Sequence, residues 1–180
     1  MRKNLVLLGF MGSGKTSTGK ALAQKTGYRF LDTDVEIERR EGRSVREIFR
    51  EKGEAAFRAL ERALLDEWLE ADGQVLATGG GMWMDPSNRE RLLASGWCIW
   101  LKAGPDQTWE RVKEDLATRP RLASSSDPKG KVAELIVART PLYSLAHSAI
   151  DTDGLTPEEV ADRILDTGKG KAPFDLPTLP

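Results

Sequence analysis

Two asparagines, one cysteine, one histidine and a net charge of only −1 are what this chain has least of, and each scarcity removes a class of function. Cys98 has no second cysteine with which to close a disulfide inside the chain. Its place in the apolar run Trp97-Cys98-Ile99-Trp100 marks an inert strand residue, not a reactive thiol. The lone His147 reads as a structural or solvated side chain and is given no chemistry. Asparagine occurs only at Asn4 and Asn88, so the Asn-Lys-x-Asp signature of guanine-nucleotide switches is absent. Near-neutral charge, with Lys and Arg interspersed among Asp and Glu, provides no field to gather nucleic acid, and any anion must be held by local geometry. The longest apolar run near the N-terminus, Leu5–Leu8, is far too short for a spanning helix or a secretory segment, so a cytoplasmic protein without a membrane partner is expected.

What is present is a phosphate-binding loop. Gly9-Phe10-Met11-Gly12-Ser13-Gly14-Lys15-Thr16 follows the apolar run Leu5–Leu8 and precedes the helix-like Ser17-Thr18-Gly19-Lys20-Ala21-Leu22-Ala23. Small residues let consecutive backbone N–H groups curl around an anion, and the start of the following helix adds roughly half a positive charge. Lys15 reaches the outer phosphates and Thr16 offers a hydroxyl to Mg²⁺. The remaining pattern supports an α/β domain: 180 residues with 39% apolar content suit one core. Apolar runs at 5–8, 28–31, 74–77, 98–101 and 149–150 alternate with segments long enough for helices, which predicts a parallel sheet. Ser44-Val45-Arg46-Glu47 and Thr156-Pro157-Glu158-Glu159 read as capping boxes, and Pro86 and Pro105 as first helical residues. Phe57, Leu60, Leu64 and Trp68 predict one amphipathic helix between Gly53 and Glu70. From Thr118 to Gly130 the periodicity fails, and a mobile loop over the phosphates is expected there. A loose tail follows residue 168.

Switches, motors and metabolite kinases share the loop, so the other half of the site must discriminate. Phe30-Leu31-Asp32-Thr33-Asp34 ends the second apolar run, and two residues apart on an extended chain both carboxylates project to one side. Beyond the carboxyl end of a strand they fall beside the loop, one for Mg²⁺ and one for a substrate hydroxyl. The competing reading makes Asp34 a helix cap and Asp32 a turn residue. Thr78-Gly79-Gly80-Gly81 leaves backbone bare after another strand, either for close approach of a ligand or as a plain turn. Arg58, with Glu61 three residues on and Phe57 beside it, is either a pinned anion fork or an ordinary solvated pair. Arg119 and Arg139 leave the same choice open.

In order and spacing, the phosphate loop, Phe30-x-Asp32-x-Asp34, Phe57-Arg58-x-x-Glu61, Thr78-Gly79-Gly80-Gly81, Arg119-Pro120 and Arg139-x-x-x-Tyr143 together resemble the shikimate kinase family, from residue 4 to about 165. The resemblance implies a P-loop nucleoside monophosphate kinase-like fold in three layers: a five-stranded parallel sheet, helices on both faces, a substrate-binding segment at about 33–61 and a mobile lid at about 115–130, all within one domain spanning 1–168. It implies transfer of the γ-phosphoryl of ATP to the 3-hydroxyl of shikimate. By resemblance, Gly12, Ser13, Gly14, Lys15, Thr16 and Ser17 hold the phosphates with Arg119 of the lid, and Thr16 and Asp32 hold Mg²⁺. Asp34 meets the attacking hydroxyl, Arg58 and Arg139 grip the substrate carboxylate, Glu61 orients Arg58, and Gly79, Gly80 and Gly81 offer backbone N–H groups. Phe49 and Phe57 resemble the apolar walls of the substrate site.

The sequence departs from the family pattern at Arg121, where an apolar residue is usual, and at Ser144-Leu145-Ala146-His147. The stretch that normally supplies an adenine-stacking arginine is shifted, leaving Arg111 or Lys113 for that position. The runner-up is another small-metabolite kinase of the same fold, such as a gluconate kinase. A monomer with ATP and shikimate as its partners is expected.

Overall fold

Side-chain alternation along one central strand organises this molecule. The computed structural model describes residues 4–118 and 120–169, the side chains of 117–121 excepted. Strand β1 (Asn4–Leu8) runs through the glycine loop into α1 (Lys15–Thr26), followed by β2 (Arg29–Asp32), α2 (Thr33–Glu41) and α3 (Val45–Trp68). Next come β3 (Gln74–Ala77), a 3-10 turn at Met82–Met84, α4 (Pro86–Ser95), β4 (Gly96–Lys102) and α5 (Pro105–Val112). A 3-10 segment (Lys113–Thr118), the single turn α6 (Pro120–Ala123) and α7 (Pro128–Tyr143) lead to β5 (Ser148–Asp151) and α8 (Pro157–Gly168). Every pairing is parallel, in the order β2-β3-β1-β4-β5. The chain leaves β1 first toward one edge and later toward the other, and that reversal opens a crevice beyond its carboxyl end. The glycine loop sits there.

Leu5 and Leu7 point to one face of the sheet, against Leu22 of α1 and Ile164 and Leu165 of α8. Val6 and Leu8 point to the other, among Leu64, Leu65 and Trp68 of α3, Leu92 of α4 and Val132 and Tyr143 of α7. Both cores are closed to solvent, which holds the strand ends in register and the loops above them in place. Cys98 is fully buried between neighbours of this sheet, and burial pushes its thiol pKa up, as expected for an inert residue.

The capping box at Ser44–Glu47 and the helix expected between Gly53 and Glu70 are both present, as the two halves of α3, joined without a loop at Gly53 (φ 80°, ψ 171°). One segment differs from the sequence expectation. The segment 118–130 is not an unbroken loop. Pro120 opens α6, whose Leu122 is fully buried, and Pro128 opens α7 with Asp127 accepting from the Gly130 N–H at 2.9 Å. The prolines that spoil the periodicity stand at helix starts, where a missing N–H costs nothing. Arg119, the side chain of Arg121 and the tail beyond residue 169 lie outside the described residues.

Candidate active site

The loop after β1 keeps its shape through glycine. Gly12 (φ 75°) and Gly14 (φ 89°) take left-handed conformations that an L side chain resists, so the first N–H groups of α1 face the loop uncovered. Lys15 Nζ lies across the loop and donates to the Gly9 and Phe10 carbonyls, each at 3.0 Å. Arg111 on α5 braces the loop from above, donating from a guanidinium nitrogen to the Gly12 carbonyl at 2.9 Å. A cavity of about 230 Å³ extends from the loop, lined among others by Ser13, Ser17, Arg111, Thr152, Leu155 and Pro157. Lys113 is not among its lining residues and forms an exposed ion pair with Glu110.

Beside the loop, Asp32 ends β2 and caps α2. Its Oδ1 accepts from the Asp34 N–H at 3.1 Å and the Val35 N–H at 3.4 Å, while its Oδ2 accepts from the Thr16 hydroxyl at 2.6 Å. This corrects the geometry inferred from the sequence: the strand stops at Asp32, Asp34 belongs to the first turn of α2, and a two-residue strand period does not apply. The two carboxylates are still neighbours, because a helix-capping turn folds Asp34 back toward the strand end. Burial, then the Asp32 charge, raise the Asp34 pKa from 3.8 to about 6, with Lys15 pulling the other way. Thr16 and Asp32 present adjacent hard oxygens, which suits Mg²⁺. Among the described residues no three acidic, His or Cys side chains form a cage, so such an ion would take its other ligands from phosphate and water.

The three glycines after β3 are the floor against which the remaining groups converge. None of them has a positive φ; their use is close approach. A Cβ on Gly79 would lie 2.5 Å from Asp34 Oδ1 and 3.0 Å from Glu61 Oε1. One on Gly80 would lie 3.6 Å from an Arg139 guanidinium nitrogen, and one on Gly81 only 2.3 Å from an Arg58 guanidinium nitrogen. Asp34, Glu61, Arg139 and Arg58 therefore meet along one short stretch of bare backbone. Arg58 donates to Glu61 Oε2 at 2.5 Å and to Glu54 Oε1 at 2.9 Å, and its guanidinium lies over the Phe49 and Phe57 rings. Glu61 is fully buried, and its Oε1 has no hydrogen-bond partner among the described residues. Burial raises its pKa to about 7, with Asp34 adding to the rise and Arg58 opposing it. Arg139 donates to the Gly80 carbonyl at 3.0 Å and lies 5.4 Å from the centre of the Phe10 ring.

One expected contribution is withdrawn. The Gly79 N–H donates to the Thr33 hydroxyl at 2.6 Å, so Gly79 supplies space and not a donor to a ligand. Thr33 and Phe10 are the members of the site that sequence reading missed. Thr33 sits between two acidic residues that drew attention, and its partner is 46 residues away. Phe10 lies inside the loop motif at a position with no required chemistry, yet it is the platform that links Arg139 to the phosphate loop. Arg139 is steadied through α7, whose end is anchored by Trp83 Nε1 donating to the Leu142 carbonyl at 2.7 Å and by Tyr143 stacked on Trp100.

Gly81→Ala tests this crowding. The displaced group is the far end of a flexible side chain, so the fold survives while the guanidinium shifts. We expect the KM for the ligand that Arg58 holds to rise by about tenfold or more, the KM for the nucleotide on the phosphate loop to stay within about twofold and the melting temperature to be almost unchanged. Unchanged substrate affinity would separate Arg58 from binding.

Comparison with known proteins gives a consistent family. The family model described as shikimate kinase matches residues 11–169. A shikimate kinase of Thermodesulfovibrio yellowstonii is 43% identical over 91% of this chain and 93% of its own length. The structure of shikimate kinase from Acinetobacter baumannii in complex with shikimate superposes with a TM-score of 0.87 at 36% identity, covering 95% of this chain and 97% of that one. A gluconokinase from Sinorhizobium meliloti shares the fold, with a TM-score of 0.57 at 18% identity over 92% of this chain and 90% of its own.

Proposed function

The chain belongs to the shikimate kinase family, and from that premise we propose how its residues divide the phosphorylation of shikimate among them. The protein is a kinase with ATP as co-substrate and an alcohol group of shikimate as acceptor; the hydroxyl attacked is the 3-hydroxyl. The observation that carries the division of roles is the meeting of Asp34, Arg58 and Arg139 on Gly79–Gly81, beside the phosphate loop.

Gly12, Ser13, Gly14, Lys15, Thr16 and Ser17 bind the phosphates through backbone N–H groups, hydroxyls and the Lys15 ammonium, which leaves its two loop carbonyls to do so. Thr16 and Asp32 hold Mg²⁺, which supplies charge neutralisation on the phosphate oxygens. Arg111, which lines the cavity with Leu155 and Pro157, stacks on adenine there; Lys113 is not among the lining residues and pairs with Glu110 instead. Arg58 and Arg139 each offer a planar fork to the shikimate carboxylate, and Phe49 and Phe57 wall the ring. The Gly80 and Gly81 amides complete the substrate floor. With the carboxylate fixed at one end, the hydroxyl at the other falls to Asp34. Asp34 accepts that hydroxyl's proton as the oxygen bonds to the γ-phosphorus and the bridging bond to ADP breaks. Arg119, from the lid at about 115–130, adds positive charge to the transferring group and excludes water on closure.

No helix among the described residues is long and apolar enough to cross a membrane; a cytoplasmic monomer acting on free metabolites is the proposed setting. ADP release in the presence of Mg²⁺ and shikimate, gluconate or nucleoside monophosphates tests the reading. We expect kcat/KM for shikimate to exceed that for gluconate by about a hundredfold or more: gluconate has a carboxylate for the two half-buried forks, but its open chain neither fills the aromatic-walled site nor holds one hydroxyl at Asp34, and a nucleoside monophosphate has no carboxylate for the forks at all. Comparable turnover of gluconate would displace the substrate assignment.

A further inference from the structure

A straight α-helix separates residues eight apart by about 12 Å along its axis. Phe49 and Phe57 are eight apart within α3, yet their ring centroids lie 4.7 Å from each other. The break at Gly53 makes this possible. At φ 80° and ψ 171° the backbone takes a conformation that is essentially restricted to glycine. No heavy atom lies within 4 Å of where its Cβ would stand, so crowding is not the reason for glycine here; the backbone angle is.

Both halves of α3 are held against α2 and the main core, one on each side of the break. The first half is tied to α2, through the Val45 N–H donating to Glu38 at 2.8 Å and the Lys52–Glu41 ion pair, and Arg43 in the turn before it pairs with Glu51 at 2.5 Å. The second half is buried in the main core by Leu64, Leu65 and Trp68, the same core that takes Ile48 of the first half, and its Glu67 pairs with Arg40 of α2 at 2.8 Å. Gly53 is thus the joint at which α3, fixed on both sides, turns Phe49 back toward Phe57 and Arg58.

We infer that Gly53 is a positioning residue for shikimate, whose glycine-only backbone folds Phe49 back onto Phe57 and so builds the aromatic seat on which Arg58 is held. The inference rests on the reading of Arg58 as a carboxylate fork. Alanine at 53 favours continuation of the helix and lifts Phe49 away from Phe57. Arg58 then loses one of its two ring supports and the substrate ring loses its Phe49 wall, although no side chain that touches substrate has been replaced.

Steady-state kinetics on the full chain tests it with Gly53→Ala, Phe49→Ala, the double variant and Arg58→Lys. Gly53→Ala should raise the shikimate KM by about tenfold, leave the ATP KM within about twofold, and show no further loss when combined with Phe49→Ala. A lowered melting temperature with both KM values unchanged, or losses that multiply in the double variant, overturns the inference. Should Arg58→Lys raise the shikimate KM while folded Gly53→Ala does not, the Gly53 role fails and the Arg58 role stands. Should Arg58→Lys leave it unchanged, both fail. If Gly53→Ala does not fold, D-alanine at 53, introduced by ligation, preserves positive φ and should keep the shikimate KM within about twofold of the parent; a tenfold rise there overturns the inference equally.

Discussion

Asp34→Asn is expected to lower kcat by about a hundredfold or more while leaving the KM for ATP within about twofold. The asparagine keeps the size of the side chain but cannot take a proton. Asp34 is suited to that task because burial and the adjacent Asp32 hold its pKa at about 6, close enough to neutrality for useful basicity and still ionised at pH 7.5. The parent enzyme should therefore lose kcat/KM as pH falls through about 6, and the residual activity of the variant should lack that limb. Rates at saturating ATP between pH 5 and 8 measure both. Undiminished turnover in the variant would remove Asp34 from proton transfer.

The same burial has a thermodynamic consequence of opposite sign. Because the folded-state pKa of Asp34 lies above its ordinary 3.8, the native protein binds this proton more tightly than the unfolded chain does. Its contribution favours folding at acid pH, declines as pH rises from about 4 to about 6, and then stays constant. Relative to the parent, Asp34→Asn should gain stability between pH 3.5 and pH 7, by about 1–3 kcal/mol. Thermal melts at the two pH values read it directly. Glu61, raised from 4.5 to about 7, contributes in the same direction over a window that ends nearer neutrality.

Arg58→Lys should weaken shikimate binding by roughly 1.5–3 kcal/mol, about a 10- to 150-fold rise in KM, with little change in the KM for ATP. The guanidinium is pinned by Glu54 and Glu61 on one side and by two aromatic faces beneath, so its remaining N–H groups are aimed before substrate arrives. A lysine satisfies one acidic neighbour at most, stacks poorly, and presents a single point of charge to a two-oxygen carboxylate. It also leaves Glu61 buried with weaker compensation. Shikimate titrations at saturating ATP measure the effect; an equal loss for ATP would mean that Arg58 serves the nucleotide.

Features whose partners are near in the chain were legible. The phosphate loop and the capping boxes at Ser44 and Thr156 translate into structure because each rests on contacts spanning a few residues, and the five apolar runs because their pattern is local even though their pairings are not. The extended-chain pairing of Asp32 and Asp34 failed because Asp32 could end a strand or cap a helix, and its hydrogen bonds to the Asp34 and Val35 N–H groups settled that choice. Gly53 was legible as the start of a helix but not as a joint: helical residues flank it on both sides, and only the folded chain shows that its positive φ turns Phe49 onto Phe57.

From composition and local spacing alone came the phosphate chemistry, the parallel α/β class and the identity of the acidic and cationic groups available for catalysis. Tertiary structure alone decided which of them meet: that Gly79 faces Asp34 and Glu61, Gly80 faces Arg139, and Gly81 faces Arg58. Backbone angles and caps are set by neighbours along the chain. Meetings across 18 to 59 residues are set by the strand order β2-β3-β1 and by the burial of both sheet faces, which no short window of sequence contains.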